Sequence, residues 1–77
     1  MCLAVPSKII GIQDLNATVE VYGAQRSVSL LLMPHDAKIG DFVLVHAGFA
    51  IQKVDEEAAE EALKYIKQLL DETDEHL

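Results

Sequence analysis

The sequence predicts a small α+β domain that is mostly β, because short alternating segments fill the first two-thirds and an amphipathic segment follows them. The chain has 77 residues, close to the lower limit at which one hydrophobic core holds a fold unaided. Its formal net charge of −7 lies entirely in residues 55–77, since four acidic and four basic side chains balance in residues 1–54. A single cysteine allows no intrachain disulfide, which fits a reducing compartment and predicts a cytoplasmic protein.

The first half of the chain predicts three strands. Residues 3–12 are rich in β-branched side chains, and the polar residues 13–16 predict a turn. Residues 17–22 alternate between apolar and polar side chains, which is typical of a half-buried strand. Gly23-Ala24 has the composition of a type II′ hairpin turn, and residues 25–33 form the predicted returning strand.

The second half predicts two more strands. Residues 34–38 interrupt the pattern, and an apolar segment from Phe42 to His46 follows. Ala47-Gly48 is the next break between apolar segments. Residues 49–54 then predict a short fifth strand.

The segment after residue 54 predicts a helix. Asp55 is a favourable N-cap, and Glu56 and Glu57 lie in the first turn, where the helix dipole favours anions. One apolar stripe has helical spacing and consists of Ala59, Ala62, Leu63, Ile66, Leu69 and Leu70. We expect this stripe to pack on the strands as core, with a partner-binding groove as the alternative. The acidic residues 71–77 are expected to fray.

Five short strands of this size need a closed arrangement, because an open sheet would leave its edges uncovered. A five-stranded OB-like barrel meets this need, with an SH3-like barrel as the alternative that periodicity leaves open. The predicted organisation is a barrel over residues 1–54 and an acidic helix over residues 55–77, packed together as one domain.

Cys2 is the residue of this chain whose side chain is best suited to bind a soft metal or to attack an electrophile. If Met1 is removed, its amine nitrogen and thiolate sulfur can close a five-membered chelate ring on a soft transition metal. The nearby ammonium also favours the thiolate. The alternative is a small hydrophobic residue at a frayed terminus.

Two motifs resemble a known family. The opening Met1-Cys2-Leu3-Ala4-Val5-Pro6, together with the run from Gly40 to Ala50 (GDFVLVHAGFA), is similar to the HypC/HupF/HybG family of nickel–iron hydrogenase maturation chaperones. The resemblance covers the whole chain, including its length and its trailing acidic helix. Either motif alone is weak, and their combination at this spacing is specific.

The resemblance implies a shuttle that is not an enzyme. Members of the family bind an iron–sulfur scaffold protein of the HypD type and the precursor of the hydrogenase large subunit. They help deliver an iron that carries cyanide and carbonyl ligands, so the iron group is a transient cargo and no resident cofactor is implied. By position, the family's essential cysteine is Cys2 and its histidine is His46, with Leu3 and Pro6 as further expected partner contacts.

The chemistry of these residues agrees with that role. A low-spin iron with cyanide and carbonyl ligands is soft, so a thiolate is a natural ligand and an imidazole can be a second. The alternative for His46 is a histidine at the edge of the core, satisfied by a backbone carbonyl. His35 and His76 have no ligand spacing with Cys2, so no structural metal is predicted.

Two other function classes fit parts of the pattern. An OB-type nucleic-acid binder, or another small interaction module, fits the fold, but a neutral body with an acidic tail lacks the basic patch that phosphates need. A thiol enzyme fits Cys2, but neither a base nor an orienting group is evident. The chaperone function requires little more than an exposed terminus that can bind metal, so it fits the sequence best. We expect the segment around Cys2 to be mobile in the free protein and to become ordered when a partner binds.

Overall fold

The computed structural model describes residues 5–33 and 35–75 and contains five strands followed by one helix. The strands are β1 (Pro6–Gln13), β2 (Asn16–Val21), β3 (Ala24–Ser29), β4 (Phe42–His46) and β5 (Phe49–Val54), and the helix is α1 (Glu56–Glu75). The predicted class, a mostly β domain that ends in a helix, is therefore confirmed.

The strands close into a barrel in the order β1-β2-β3-β5-β4. Strand β1 pairs antiparallel with both β2 and β4, so the order β4-β1-β2-β3 is a Greek key. Strand β5 completes the barrel by pairing antiparallel with β4 and parallel with β3, where Ser29 lies opposite Phe49. A five-stranded Greek-key barrel is the OB type, so the predicted OB-like barrel is confirmed.

Two β-bulges bend the barrel strands. In β1 the register shifts between Ile9 and Gly11, which leaves Ile10 as the extra residue opposite β2. In β5 the register shifts beside Ala50 and leaves Ile51 as the extra residue opposite β4. An extra residue increases the local twist of a strand, which helps a five-stranded sheet to close.

The barrel interior is an aliphatic core to which every strand contributes. Its largest fully buried side chains are Ile9, Val19 and Val43. The remaining members of this cluster are Ala17, Val28, Leu30, Met33, Val45 and Ala50. Ser7 is a buried polar residue, and its hydroxyl donates a hydrogen bond to the Val5 carbonyl oxygen at 3.3 Å. The alternation predicted for residues 17–22 therefore agrees with the buried positions of Ala17 and Val19 in β2.

The hairpin between β2 and β3 differs from the predicted turn. Val21 pairs with Ala24, so the two turn residues are Tyr22 and Gly23, and their φ angles are 52° and 86°. Positive φ at both positions is typical of a type I′ turn, whereas the predicted type II′ turn at Gly23-Ala24 is wrong. Gly23 is the second of the two turn residues. The register of the flanking strands, and not the position of the glycine alone, determines which residues form the turn.

The third strand is shorter than its alternating pattern predicted. Strand β3 ends at Ser29, and the Leu30 amide donates to the Leu15 carbonyl oxygen at 2.7 Å. Leu31 and Leu32 follow in a turn and are 58% and 61% exposed. The apolar run in the sequence continues to Met33, beyond the last paired residue, which is why the sequence pattern overestimated the length of this strand.

Helix α1 begins as predicted and extends further. The Asp55 carboxylate accepts a hydrogen bond from the Ala58 amide at 3.4 Å, which confirms the predicted N-cap. The helix continues to Glu75, so it includes most of the segment that was expected to fray. No helix within residues 5–33 and 35–75 is long and apolar enough to cross a membrane.

Candidate functional site

The start of β1 and the end of β4 lie side by side. Pro6 is opposite Leu44, and Ser7 is opposite Val43. Because the strands are antiparallel, the chain that precedes Pro6 enters the barrel beside the last residues of β4. This arrangement brings Pro6, the last residue of the opening motif, beside the second motif, although more than thirty residues separate the two motifs in the sequence.

His46 is the last residue of β4 and is exposed. Val43 and Val45 face the core, and the alternation of side chains directs His46 to the outer face with Leu44. The alternative of a histidine at the edge of the core is therefore wrong. Its cross-strand neighbour Phe49 is 37% exposed, so an imidazole and an aromatic ring lie together at the surface.

A tight turn holds this pair of side chains in place. Ala47 and Gly48 connect β4 to β5 with φ angles of 53° and 84°, which are typical of a type I′ turn. The Gly48 carbonyl oxygen accepts a hydrogen bond from the Ser29 amide at 2.8 Å. This hydrogen bond connects the turn to β3. The backbone of His46 and Phe49 is therefore held both by the pairing of β4 with β5 and by the contact with β3.

The loop that leads into β4 is held by polar contacts. The Asp41 carboxylate accepts a hydrogen bond from the Lys38 amide at 2.9 Å, so Asp41 shapes this turn. The Lys53 ammonium lies 3.5 Å from the same carboxylate and donates to the Asp36 carbonyl oxygen at 3.3 Å. Because the Lys53 side chain is half exposed and the Asp41 side chain a quarter exposed, the ion pair contributes little stability, but it connects the loop to β5.

A cleft of about 440 Å³ opens between the barrel, the β2–β3 hairpin and helix α1. Its apolar walls are formed by Val5, Val19, Val21, Val45, Ile66 and Leu70. Tyr22 also lines the cleft, and its hydroxyl donates a hydrogen bond to the Leu63 carbonyl oxygen of α1. The cleft therefore lies where the chain enters β1, and a tyrosine connects two of its walls.

The remaining residues of the predicted site lie partly outside the described structure. Cys2 and Leu3 fall outside residues 5–33 and 35–75, and so does the expected mobility of their segment. Pro6 is buried at the start of β1, so its ring helps to form the entry to the barrel.

Metal-binding groups are not concentrated in the described part of the chain. No cluster of three histidine, cysteine, aspartate or glutamate residues with the geometry of a metal site occurs there. His35 is exposed in the loop between β3 and β4. His46 is thus the histidine that the structure places beside the entry of the N-terminal segment.

Comparison with known proteins decides the family. A profile of the HupF/HypC family matches residues 1–66, which include the opening motif, the whole barrel and most of the packed part of α1. This chain belongs to the HupF/HypC family. The resemblance that the two motifs indicated is therefore confirmed.

Named relatives of the family align with this chain over most of their own length and of this chain's length. The chain is 46% identical over 71 residues to the "Hydrogenase maturation factor HypC" of Helicobacter hepaticus, covering 91% of this chain and 83% of the relative. It is 43% identical over 70 residues to the protein of the same name from Cupriavidus necator, covering 90% and 77%. The HypC of Synechocystis is 42% identical over 69 residues, covering 82% of this chain and 90% of the relative.

Sequence reasoning missed the cleft and the part of Tyr22 in it. The β2–β3 hairpin and α1 are about forty residues apart along the chain, and no local pattern indicates that their ends meet. One signal was present, since an aromatic residue directly before Gly23 can project from the tip of a hairpin. Only the packing of α1 shows what the tyrosine contacts.

Proposed function

We propose that this member of the HupF/HypC family is a hydrogenase maturation chaperone that carries a metal group between two protein partners. The partners are an iron–sulfur scaffold protein of the HypD type and the precursor of the hydrogenase large subunit. The cargo is an iron with cyanide and carbonyl ligands, and the chaperone works in the cytoplasm without being an enzyme. The family match over residues 1–66 is the observation that carries this proposal.

Cys2 is the proposed contact to the iron group. Its thiolate is soft, and so is an iron with cyanide and carbonyl ligands. Two residues, Leu3 and Ala4, connect it to Val5, and this short segment would let the thiol enter a partner's site while the barrel remains outside. No cluster in the described residues competes with it for a metal ion.

His46 is the proposed second polar group at the site. Its exposed imidazole can donate a hydrogen bond to a cyanide nitrogen or take part in ligation of the iron. The anchored Ala47-Gly48 turn supports this role, because a side chain on a rigid hairpin keeps its position when the partner binds. Phe49 offers an apolar surface beside it.

Leu3 and Pro6 are proposed to support partner binding in different ways. Leu3 is an apolar side chain next to Cys2 and is suited to an apolar contact. Pro6 is buried and has a restricted φ angle, so it directs the chain out of β1 towards the surface near His46.

A pull-down from cells that make a nickel–iron hydrogenase tests the proposal. Protein with a C-terminal tag is isolated as wild type, Cys2→Ala, His46→Ala and His35→Ala, and bound proteins are identified by mass spectrometry. Wild type is expected to recover the scaffold protein and the unprocessed large subunit, while Cys2→Ala loses them. His46→Ala is expected to recover less, and His35→Ala, which changes an exposed loop histidine, to match wild type.

Infrared spectra of the isolated complexes separate cargo binding from partner binding. Cyanide and carbonyl bands are expected with wild type and are expected to disappear with Cys2→Ala. Bands that persist in Cys2→Ala at full strength would rule out the ligand role of Cys2. Failure of wild type to recover either partner would rule out the chaperone function itself.

A further inference from the structure

We propose that the free edge of β3 binds an extended segment of the large-subunit precursor, which adds to the barrel as a further strand. One apolar side chain of that segment enters the cleft beside α1, and an acidic side chain two residues away pairs with Arg26. This binding rests on the proposed function, which supplies the precursor as a partner. It defines the place on the barrel and the kind of segment that is bound there.

One edge of β3 lacks a neighbouring strand over most of its length. Strand β2 pairs with β3 along its whole length on one side, whereas β5 meets it on the other side at Ser29. In the described part of the chain, no strand lies beside Ala24 to Val28 on that second side. A free strand edge presents backbone groups with which an extended chain can pair.

The register of the β2–β3 hairpin identifies the free backbone groups. The pair next to the two-residue turn is hydrogen-bonded, and the pair types alternate from there along the strands. Gln25 and Ser27 therefore direct their N–H and C=O groups away from β2. Ser29 follows the same rule, since its amide donates to the Gly48 carbonyl oxygen at 2.8 Å. Two residues with outward backbone groups are enough to pair with one short added strand.

The cleft beside α1 opens at this same edge. Ala24, Gln25 and Arg26 all line it, although the side chains of consecutive strand residues point to opposite faces. A cavity that touches three consecutive residues reaches the edge of their strand. Ile66 and Leu70 of α1 also line the cleft, so an apolar side chain of an added strand can be buried between the barrel and the helix.

Arg26 determines the charge that the bound segment needs. Among the described residues that line the cleft, it is the one with a charge. It lies opposite the buried Val19 and so shares the inner face of the hairpin. Glu20 belongs to the other face, and its carboxylate accepts a hydrogen bond from the Gly23 amide at 2.6 Å. In the described part of the chain the Arg26 guanidinium has neither an ion pair nor a hydrogen bond, and arginine binds a carboxylate through two parallel N–H donors.

Sheet geometry sets the spacing within the bound segment. Ala24 and Arg26 lie on the same face, so the residues opposite them in an added strand are also two positions apart. An apolar residue opposite Ala24 enters the cleft, and an acidic residue opposite Arg26 forms the ion pair. Such a segment must be extended and free of strand partners of its own. A precursor that has not completed its fold meets this requirement, whereas a folded scaffold protein does not.

Hydrogen exchange of the full chain, with and without the purified large-subunit precursor, tests strand addition at single amides. In the free protein the Gln25 and Ser27 amides are expected to exchange rapidly, and the Arg26 and Val28 amides, which bond to β2, slowly. The precursor is expected to slow Gln25 and Ser27 about tenfold or more and to leave the other two unchanged. An alternating effect of this kind distinguishes an added strand from a partner that merely covers the surface.

Three exchange results would overturn the proposal. Slow exchange of Gln25 and Ser27 in the dilute free chain would mean that the edge is already covered by the chain itself. Protection that rises with the concentration of the chain alone would assign the edge to a second copy. Protection produced by the purified scaffold protein in place of the precursor would assign it to the other partner.

Matched charge variants test the carboxylate of the bound segment. Arg26→Gln is expected to weaken precursor binding about tenfold, and Arg26→Glu about a hundredfold, because the second change adds repulsion to the lost ion pair. Lys38→Gln and Lys38→Glu make the same changes at an exposed side chain that does not line the cleft, and are expected to bind like wild type. Arg26 is exposed, so its variants should fold, which circular dichroism checks. Equal affinities of wild type and both Arg26 variants would overturn the ion pair and the proposal with it.

Strand addition and the proposed function fail in different ways. Normal precursor binding with unchanged exchange at Gln25 and Ser27 would overturn strand addition and leave the chaperone function standing. Failure of wild type to bind the precursor would overturn both.

Discussion

The two halves of helix α1 have the same apolar stripe but different surroundings. In the first half, Ala59 is completely buried and Leu63 is half-buried. In the second half, Leu69 and Leu70 are 64% and 52% exposed. Asp55 caps the first half, and Tyr22 contacts the helix at Leu63, near its middle. The stripe thus passes from the body of the protein to its surface without a change in sequence pattern.

This difference shows what an amphipathic pattern can and cannot indicate. The pattern correctly identifies the side of the helix that faces apolar neighbours. It does not indicate how far along the helix those neighbours extend, because a 77-residue chain has a barrel of limited size. The first half of the stripe therefore packs as core, as expected, and its second half lines an open cleft. Partner binding at this part of the stripe stays a prediction.

The largest effect expected from this comparison is on Leu63. Leu63→Ala is expected to lower the free energy of unfolding by about 2 kcal/mol, at the low end for leucine because the side chain is only half-buried. Leu70→Ala, on the same stripe, is expected to change it by less than about 0.5 kcal/mol. Chemical denaturation followed by circular dichroism measures both. Equal losses would show that the second half of α1 packs as tightly as the first.

A smaller effect is expected at the start of the helix. Asp55→Ala removes the carboxylate that accepts a hydrogen bond from the Ala58 amide and is expected to cost about 1 kcal/mol. Asp55→Asn keeps an acceptor and should retain most of that stability. The midpoint of urea unfolding measures the two variants, and an unaffected Asp55→Ala would mean that packing of Ala59 alone holds this end.

The smallest effect is expected from the contact between the hairpin and the helix. Tyr22→Phe removes one hydrogen bond from an exposed side chain and is expected to cost about 0.5 kcal/mol. Hydrogen exchange should nevertheless become faster in the second half of α1, because the hairpin no longer holds the helix. Tyr65→Phe is the control, and it should alter neither quantity. Unchanged exchange in Tyr22→Phe would show that the contact does not restrain the helix.

Local patterns predicted much of the barrel, and their failures have physical causes. The segments from Phe42 to His46 and from Phe49 to Val54 were predicted with the observed bounds, because breaks of small residues flank them. The third strand was predicted too long, because the apolar run of the sequence continues beyond Ser29, where the paired strand ends. The hairpin at Tyr22-Gly23 was displaced by one residue, because strand register determines which residues form the turn.

The sequence by itself determined the family and the class of fold, and it supplied the candidate site residues. Two motifs and the period of the strands and the helix are local properties of the chain, and each can be read without knowing what lies beside it. Only the tertiary structure decided that the chain enters β1 beside His46, and that a cleft separates α1 from the hairpin. Both depend on contacts between residues distant in sequence, whose register and packing the closed barrel and the docked helix determine together.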